Sequence, residues 1–407
     1  MQHASNLLRF WNRLPLSEGS STHCETRSSE EARGGEQGSM QNNPGPWPLA
    51  PGPLAVYPLP PQLPTSPYLD QLYAPMADLG VDVHRGRPRY ELPALLPGRG
   101  PRILHLHFFD ELTQRRGRTP TALRSLLFLA LLAALRLRGV RIVWTAHNLQ
   151  PHETYHPAWA YLVYRCVARW SDAIIAHSQA ARAALEDRYG ALPRCEIIPH
   201  GSYVGLYGSP RDRMESRAAL GLPAGGRVLL SLGALRPYKG LEDLLAAFAE
   251  LPEAERGTLL IAGAAKDRAY ASDLAGRVAV ISGARLEARI VPDGDLPIYL
   301  AAADVVALTY HALLTSGILL WALSYARPVV APAFGPVREL VSEGREGFLF
   351  APGDVESLRA ALARALAHPN LDALGQAGLE RAREFAWPRI AEATVDCYRR
   401  AVEGSKV

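Results

Sequence analysis

The stretch of sequence that decides the fold has three parts: Arg227-Val-Leu-Leu-Ser-Leu-Gly233, Ala234-Leu-Arg236-Pro-Tyr-Lys239-Gly240 and Leu241-Glu-Asp-Leu-Leu-Ala-Ala-Phe248. Its first part is apolar enough for a buried strand. The second part is a glycine turn with two cations, and the third has the apolar spacing of an amphipathic helix. A buried strand that leads through a glycine turn into a helix is typical of a parallel α/β sheet.

The two cations of this turn predict a phosphate-binding site. Lys239 is one of three lysines among 44 basic residues, so a compact ammonium stands where the chain otherwise uses arginine. An ammonium on a flexible stem suits a phosphate, and Arg236 adds a bidentate fork. The start of the following helix offers N–H groups and a favourable dipole. The alternative is a solvated turn with incidental charges.

Length and composition favour a soluble protein of two domains. The chain has 407 residues, 48% of them hydrophobic, and a net charge of +4. This length exceeds one comfortable hydrophobic core. Four scattered cysteines (Cys24, Cys166, Cys195 and Cys397) show no metal or disulfide spacing. A reducing, cytoplasmic location is therefore expected.

The domain organisation follows from shifts in composition. Residues 1–52 are polar and then proline-rich, which predicts a disordered lead-in, and Met40 is an alternative start of translation. Residues 53–205 and 206–388 are each expected to form one Rossmann-like domain. Residues 389–407 are expected to form a helix that packs back toward the N-terminal domain.

Short apolar segments alternate with helical segments in both halves, which predicts two doubly wound parallel sheets of an α/β fold. Ligands of such sheets bind outside the carboxyl ends of the strands, so two facing domains predict a cleft between those ends. The predicted strands are Arg102–His107, Arg141–Thr145, Ala173–Ala176, Glu196–Pro199, Arg227–Leu232, Thr258–Ala262, Ala288–Ile290, Val305–Leu308 and Pro328–Ala331.

The strand ends of the second half supply candidates for an anionic ligand. Gly263 and Pro292-Asp293 follow predicted strands, and Thr315-Ser316-Gly317 opens an apolar helix. Hydroxyls and unhindered N–H groups at a helix start suit a phosphate, although the same residues can also serve only as a helix cap. Together with Lys239, these residues predict a site that binds a diphosphate from two opposite sides.

The strand ends of the first half carry histidines. His147 and Asn148 follow one strand, His105 and His107 share a face of another, and His200-Gly201 follows a third. These residues are candidates for the acceptor side of the cleft. No HExxH motif or tight His/Cys set is present, so no metal site is expected.

The N-terminal half is basic, with twelve arginines against three acidic residues between positions 84 and 141. Such charge attracts anionic lipids, diphosphates or nucleic acids. Nucleic acid is not expected, because no RNP, zinc-finger or KH signature occurs. The ten-residue apolar run Leu126–Leu135 is too short for a bilayer that needs about 20 residues. It predicts a crossover helix, or alternatively an interfacial helix within residues 115–141 that contacts the inner face of the cell membrane.

In its motifs the chain resembles bacterial GT-B glycosyltransferases of the retaining, family 4 (group 1) type, over about residues 53–402. The matching elements are Thr145-Ala-His147-Asn148, Ile198-Pro-His200-Gly201, Gly233-Ala-Leu-Arg236-Pro-Tyr-Lys239-Gly240, Ala302-Ala-Asp304-Val305, Arg327-Pro-Val-Val-Ala-Pro332 and Gly344-Arg-Glu-Gly347-Phe-Leu-Phe-Ala-Pro352-Gly353-Asp354.

The resemblance implies roles for several residues. Arg236 and Lys239 would grip the diphosphate of a nucleotide sugar, linked to UDP or GDP, and stabilise it as the leaving group without a metal or other cofactor. His147 would contact the donor sugar, and Pro292-Asp293 would lie near the base. A saccharide or lipid-linked acceptor would bind the N-terminal domain.

The chain departs from this pattern at two positions. Leu313 and Trp321 stand where many of these enzymes carry two glutamates, one near the transferred sugar and one near the ribose. The departure indicates either a subfamily that uses Thr315-Ser316-Gly317 instead, or a non-catalytic relative.

The sequence thus predicts a glycosyltransferase of polysaccharide or glycolipid assembly. The alternatives are a nucleotide-sugar epimerase, a phosphorylase, a nucleotide-sugar-binding module without activity, and a basic membrane-surface adaptor. An epimerase needs paired carboxylates in the cleft and a phosphorylase usually needs a pyridoxal lysine, and the sequence offers little support for either.

Overall fold

A computed structural model describes residues 53–63, 66–85, 100–151, 154–208 and 211–404. Its strands are β1 (Leu54–Leu59), β2 (Val81–Val83), β3 (Arg102–Leu106), β4 (Arg141–Thr145), β5 (Ala173–Ala176), β6 (Cys195–Ile197), β7 (Val228–Leu232), β8 (Thr258–Ala262), β9 (Ala284–Glu287), β10 (Val305–Ala307), β11 (Val329–Pro332) and β12 (Gly347–Phe350).

The α-helices within the same residues are α1 (Tyr68–Tyr73), α2 (Asp110–Thr113), α3 (Arg118–Leu137), α4 (Pro157–Trp170), α5 (Gln179–Tyr189), α6 (Arg213–Ala219), α7 (Leu241–Ala249), α8 (Arg268–Ala279), α9 (Leu296–Ala302), α10 (Gly317–Ser324), α11 (Gly335–Arg338), α12 (Val355–Ala367), α13 (Leu371–Arg383) and α14 (Trp387–Glu403).

The strands form two six-stranded parallel sheets, in the orders β2-β1-β3-β4-β5-β6 and β12-β11-β10-β7-β8-β9. This confirms the predicted α/β class with two Rossmann-like sheets. In each sheet the chain starts at an internal strand and then extends to both sides, so the order reverses between β1 and β3 and between β7 and β10. Ligands of doubly wound sheets bind at these switch points.

Helix α3 joins β3 to β4 and packs against α2, α4 and β4, as expected of a crossover helix. Phe128, Leu129, Leu132 and Leu135 belong to the core on this side of the sheet. Within the described ranges it is the one helix long and apolar enough to cross a membrane by length and composition.

The last helix, α14, returns to the first sheet. It packs against α1, and the Nε of Arg400 donates to Glu196 over 2.9 Å. Buried side chains of α14 belong to a core cluster that also contains Val56 from the first sheet and Leu230 from the second. Both sheets and the last helix therefore share one core.

Several predicted boundaries were wrong. The strand expected at Ala288–Ile290 is β9, four residues earlier; Ile290 is exposed, and β9 is an edge strand with only half-buried positions. Strand β1 was not among the predicted strands, and it lies between β2 and β3. Helix α6 lies between the two sheets in the sequence, and the carboxylate of Asp212 caps its start. The predicted disordered lead-in (residues 1–52, with Met40) lies outside the described residues.

Candidate active site

The turn after β7 is built around two glycines. Gly233 has φ +107°, and a Cβ there would lie 2.7 Å from the Nζ of Lys239, so the missing side chain makes room for the ammonium. Gly240 has φ +61°, and a Cβ there would lie 2.2 Å from the carbonyl oxygen of Thr309. L-residues with a side chain rarely adopt this left-handed conformation. The turn is thus held against the loop that follows β10, at the switch point of the second sheet.

Lys239 is a buried cation in this turn, with 8% of its surface exposed. Among the described residues its Nζ makes one long hydrogen bond, 3.4 Å to the carbonyl oxygen of Leu232, and lies 5.2 Å from the ring centroid of Tyr310. Burial lowers the pKa of Lys239; Tyr238 opposes this shift and the charge of Arg236 adds to it. An ammonium has three donors, so this one has capacity left for an anion.

The start of α10 lies on the same cavity as Lys239. Thr315, Ser316 and Gly317 line it together, and the Oγ of Ser316 accepts from the N–H of Leu319 over 3.2 Å. The cavity has a volume of about 510 Å³ and is lined by residues of both domains. A buried cation and the N-terminus of a helix therefore share one space, which is the arrangement that binds phosphates.

The N-terminal side of the cavity is lined by His147, Asn148 and His200. The ring of Phe108 stacks on His147 with centroids 4.2 Å apart. The Nδ1–H of His200 donates to the carbonyl oxygen of Gly201 over 2.7 Å, and burial lowers the pKa of His200 to about 3. His200 therefore presents a neutral imidazole to the cavity at physiological pH.

Two glycines predicted as site residues act through the backbone instead of lining the cavity. A Cβ on Gly263 would lie 2.0 Å from the carbonyl oxygen of Gly233, so Gly263 lets β8 approach the Lys239 turn. A Cβ on Gly201 would lie 2.4 Å from the ring of Trp387, so Gly201 lets α14 pack beneath His200. Both glycines therefore affect the cavity through the packing of the segments that support its lining.

Four further predicted residues also lie outside the cavity lining. Arg236 is half-buried at the start of the turn that carries Lys239. Pro292 and Asp293 begin a short 3₁₀ turn before α9, and burial raises the pKa of Asp293. His107 is buried, and its Nδ1 lies 3.2 Å from the Nε2 of His147, which places it behind that ring.

The prediction from sequence missed the aromatic lining of the cavity. Tyr68, Tyr203, Tyr238 and Tyr310 all line it. Tyr238 lies inside the quoted turn and Tyr310 follows β10, so the strand-end rule that found Lys239 would also have found them. Tyr68 begins α1, the helix that follows β1, and it was missed because β1 was not among the predicted strands.

Leu313 and Trp321 have different environments. Leu313 lines the cavity. Trp321 is 3% exposed, and its ring stacks on Tyr203 (centroids 4.1 Å apart) and on Tyr207 (5.6 Å). A carboxylate at position 321 would therefore lie between aromatic rings, where an unpaired charge is costly.

The fold is shared with solved glycosyltransferase structures. A sucrose-phosphate synthase from Thermosynechococcus elongatus superposes with a TM-score of 0.70 at 19% identity, over 87% of this chain and all of that one. HepE from Anabaena, solved in complex with UDP, superposes with a TM-score of 0.64 at 20% identity, over 84% of this chain and 98% of that one. The two six-stranded sheets of this chain therefore match the two-domain GT-B fold.

Sequence comparison agrees with the fold. Residues 212–381 match the family described as glycosyl transferases group 1, and residues 120–202 match glycosyltransferase family 4. A D-inositol 3-phosphate glycosyltransferase of Segniliparus rotundus is 31% identical over 58% of this chain, which spans about half (53%) of that protein. A GDP-mannose:glycolipid 4-beta-D-mannosyltransferase of Xanthomonas campestris is 30% identical over 70% of this chain and 75% of its own length. The chain therefore belongs to the group 1 glycosyltransferases of the GT-B fold.

Proposed function

We propose that this protein transfers a sugar from a nucleoside diphosphate donor to a saccharide or lipid-linked acceptor. The observation that carries the proposal is the buried ammonium of Lys239 opposite the start of α10 in one cavity. The diphosphate lies between them, and Arg236 adds positive charge from the same turn. His147 lies across the cavity, where the transferred sugar would be.

Leaving-group stabilisation is the chemistry that this arrangement supplies. Breaking the bond between sugar and phosphate builds negative charge on the diphosphate, and a fixed cation and helix dipole lower the energy of that charge. None of the described residues that line the cavity is Asp or Glu, so no carboxylate among them can take the acceptor proton, and in this proposal a phosphate oxygen of the leaving group accepts it. Retention of the anomeric configuration and independence from metals are part of this proposal.

Transfer assays with a panel of UDP- and GDP-sugars, with and without EDTA, test the proposal. We expect one base to be preferred, undiminished turnover in EDTA, and an α-configured product from an α-configured donor. Loss of activity in EDTA that Mg²⁺ restores would contradict metal independence. Turnover by Lys239→Ala at the rate of the unchanged protein would contradict the diphosphate site.

A second candidate is a binding protein without activity, which Leu313 and Trp321 favour because they replace the two family carboxylates. It predicts that UDP or GDP raises the melting temperature while no donor is hydrolysed or transferred. An epimerase is not favoured, because the described lining lacks the pair of carboxylates that its acid and base chemistry needs.

Contact with the inner face of the cell membrane extends the proposal. On α3, Leu123 and Leu126 are 46% and 53% exposed, and Arg116 and Arg118 are exposed beside them. Apolar side chains flanked by arginines favour an interface with anionic lipid. Vesicles with phosphatidylglycerol should sediment the protein at low salt and less at high salt, and Leu126→Glu should weaken this. Equal binding to neutral vesicles would contradict an electrostatic contact.

A further inference from the structure

A second cation lines the cavity, from the N-terminal domain. Lys239 and Arg188 are the only Lys or Arg residues of the described lining, which contains no Asp or Glu. Lys239 holds the diphosphate in the proposed function. Arg188 stands in the last turn of α5, on the other domain, and the proposed function gives it no ligand. A cation in a lining without carboxylates indicates that a second anionic group enters the cavity.

Neutral groups hold the guanidinium of Arg188. Its Nη2 donates to the Oε1 of Gln150 over 3.0 Å, and Gln150 also lines the cavity. The guanidinium carbon lies 5.7 Å from the ring centroid of Tyr161 and 5.8 Å from that of Tyr189, within the range of cation–π attraction. The two rings stack with centroids 5.9 Å apart. The charge of Arg188 is therefore positioned without an ion pair to a described carboxylate.

The contacts that position Arg188 belong to the wall of the cavity. The hydroxyl of Tyr189 donates to the carbonyl oxygen of Leu149, and Leu149, Gln150 and Pro151 line the cavity in sequence. The ring that contacts the guanidinium is therefore bonded to the same loop that forms the wall. This loop fixes where the charge stands relative to a ligand.

Donor capacity remains on Arg188. Its Nη2 bonds to Gln150. Burial raises the pKa of Tyr189, and a hydrogen bond from Arg188 opposes this rise. A guanidinium has five N–H donors, so about three are left after these two contacts, enough for a bidentate contact with a phosphate or a carboxylate. The residue is exposed, so a ligand that enters from solvent can reach it.

We propose that Arg188 binds an anionic group of the acceptor, a phosphate or a carboxylate, so that charged acceptors are used in preference to neutral ones. Its place on the N-terminal domain beside Gln150 separates this contact from the diphosphate site of Lys239 and α10. The rings of His147 and His200 contact hydroxyl groups. That the anion belongs to the acceptor rests on the proposed function; the anion site itself does not.

Inorganic phosphate is the first probe of the anion site. UDP or GDP at saturation occupies the Lys239 side, and the melting temperature is compared in phosphate and in chloride of equal ionic strength. We expect phosphate to raise it for the unchanged protein and not for Arg188→Gln, with a partial rise for Arg188→Lys. Arg169→Gln, which changes an exposed arginine of α4, should behave like the unchanged protein. The same shift in Arg188→Gln, or none in the unchanged protein, would overturn the anion site.

Matched acceptors then test the preference and distinguish the two anions. Glucose is compared with glucose 6-phosphate and with glucuronate, and mannose with mannose 6-phosphate, each with the preferred nucleotide sugar. We expect a charged member to be used at least tenfold better in kcat/KM than its neutral partner. Arg188→Gln should raise KM for the charged acceptor roughly tenfold, as for the loss of one hydrogen bond to a charged group, with a smaller change in kcat.

Three kinetic results separate the possible failures. Equal use of charged and neutral acceptors, or a preference that Arg188→Gln leaves unaltered, would overturn the acceptor assignment. A rise in KM for the nucleotide sugar in Arg188→Gln would place the anion on the donor and would also overturn it. Absence of both transfer and nucleotide binding in the unchanged protein would contradict the proposed function, and the phosphate-dependent melting temperature would still decide whether Arg188 binds an anion.

Discussion

The two sides of the cleft are built in different ways. The C-terminal side uses backbone geometry and charge: glycines that admit close approach, a helix start, and the ammonium of Lys239. The N-terminal side uses imidazole and aromatic rings, with His147 and His200 held by hydrogen bonds and aromatic contacts. From this difference we expect the C-terminal side to hold an anion and the rings of the N-terminal side to contact uncharged hydroxyl groups.

Loss of the cation should have the largest effect, because it removes the charge on which the C-terminal side depends. We expect Lys239→Ala to lower kcat by roughly 10²–10³-fold, as for the loss of one group that stabilises transition-state charge. Turnover with the preferred donor measures this. Lys266→Ala is the matched control, since that lysine is exposed on the same domain. Equal losses in both variants would refute a special role for Lys239.

A buried histidine of the N-terminal domain predicts that the free energy of unfolding depends on pH. Burial lowers the pKa of His177 to about 4, against about 6.5 in the unfolded chain. The unfolded state therefore binds more protons between these values, and the free energy of unfolding falls as pH drops from about 6.5 to about 4. His177→Gln should reduce that slope by about 1.4 kcal/mol per pH unit.

Urea unfolding at several pH values between 4 and 7 measures the slope. His368→Gln replaces a half-buried histidine of the other domain and should leave it unchanged. A slope that is the same in His177→Gln and in the unchanged protein would contradict the neutral, buried state of this ring.

The contribution of the α10 N-terminus to nucleotide binding can be measured separately from its contribution to stability. Ser316→Ala and Asn370→Ala each remove a side-chain cap, from α10 and α13 respectively. Both should lower the free energy of unfolding by about 1 kcal/mol. Calorimetric titration with UDP or GDP should show weaker binding, by about fivefold, for Ser316→Ala alone. Equal affinity for UDP or GDP in the two variants would mean that the start of α10 contributes to stability and not to nucleotide binding.

The smallest effect is expected where the two sides meet. The carboxylate of Glu339 accepts from the N–H groups of Gln179 (3.0 Å) and Ala180 (2.7 Å), so it caps α5 from the other domain. Glu339→Ala should lower the free energy of unfolding by about 0.5 kcal/mol and broaden the distance distribution in small-angle scattering. Glu380→Ala, an exposed acidic residue of α13, is the control. An unchanged scattering profile in Glu339→Ala would show that this contact does not hold the domains together.

The sequence predicted the C-terminal side better than the N-terminal side for a physical reason. Gly233, Lys239 and Gly240 lie within eight residues, so the strand, turn and helix that position them can be read locally. The N-terminal side joins Tyr73 to Tyr398, which are far apart in the chain. Local periodicity does not show which distant side chains will meet, and the contact of Tyr68 with His147 was therefore missed.

The same limit applies to the fold. The apolar spacing of residues 355–367 predicts a helix there, and α12 has these bounds, with Asp354 capping its start. Strand β9 was misplaced, since an edge strand with Arg285 and Glu287 lacks a buried apolar run. Strand β1 was not recognised among prolines, although neighbouring strands pair with both of its edges.

The contact between Tyr398 and His105 spans 293 positions of the chain, which has a consequence for biosynthesis. At roughly 5–20 residues per second, a ribosome needs about 15–60 seconds to add that many residues. Once β6 is complete at Ile197, the nascent first domain has its strands but not yet the helix that packs against them. Its apolar surface must then be shielded by a chaperone or remain exposed until the last helix leaves the exit tunnel.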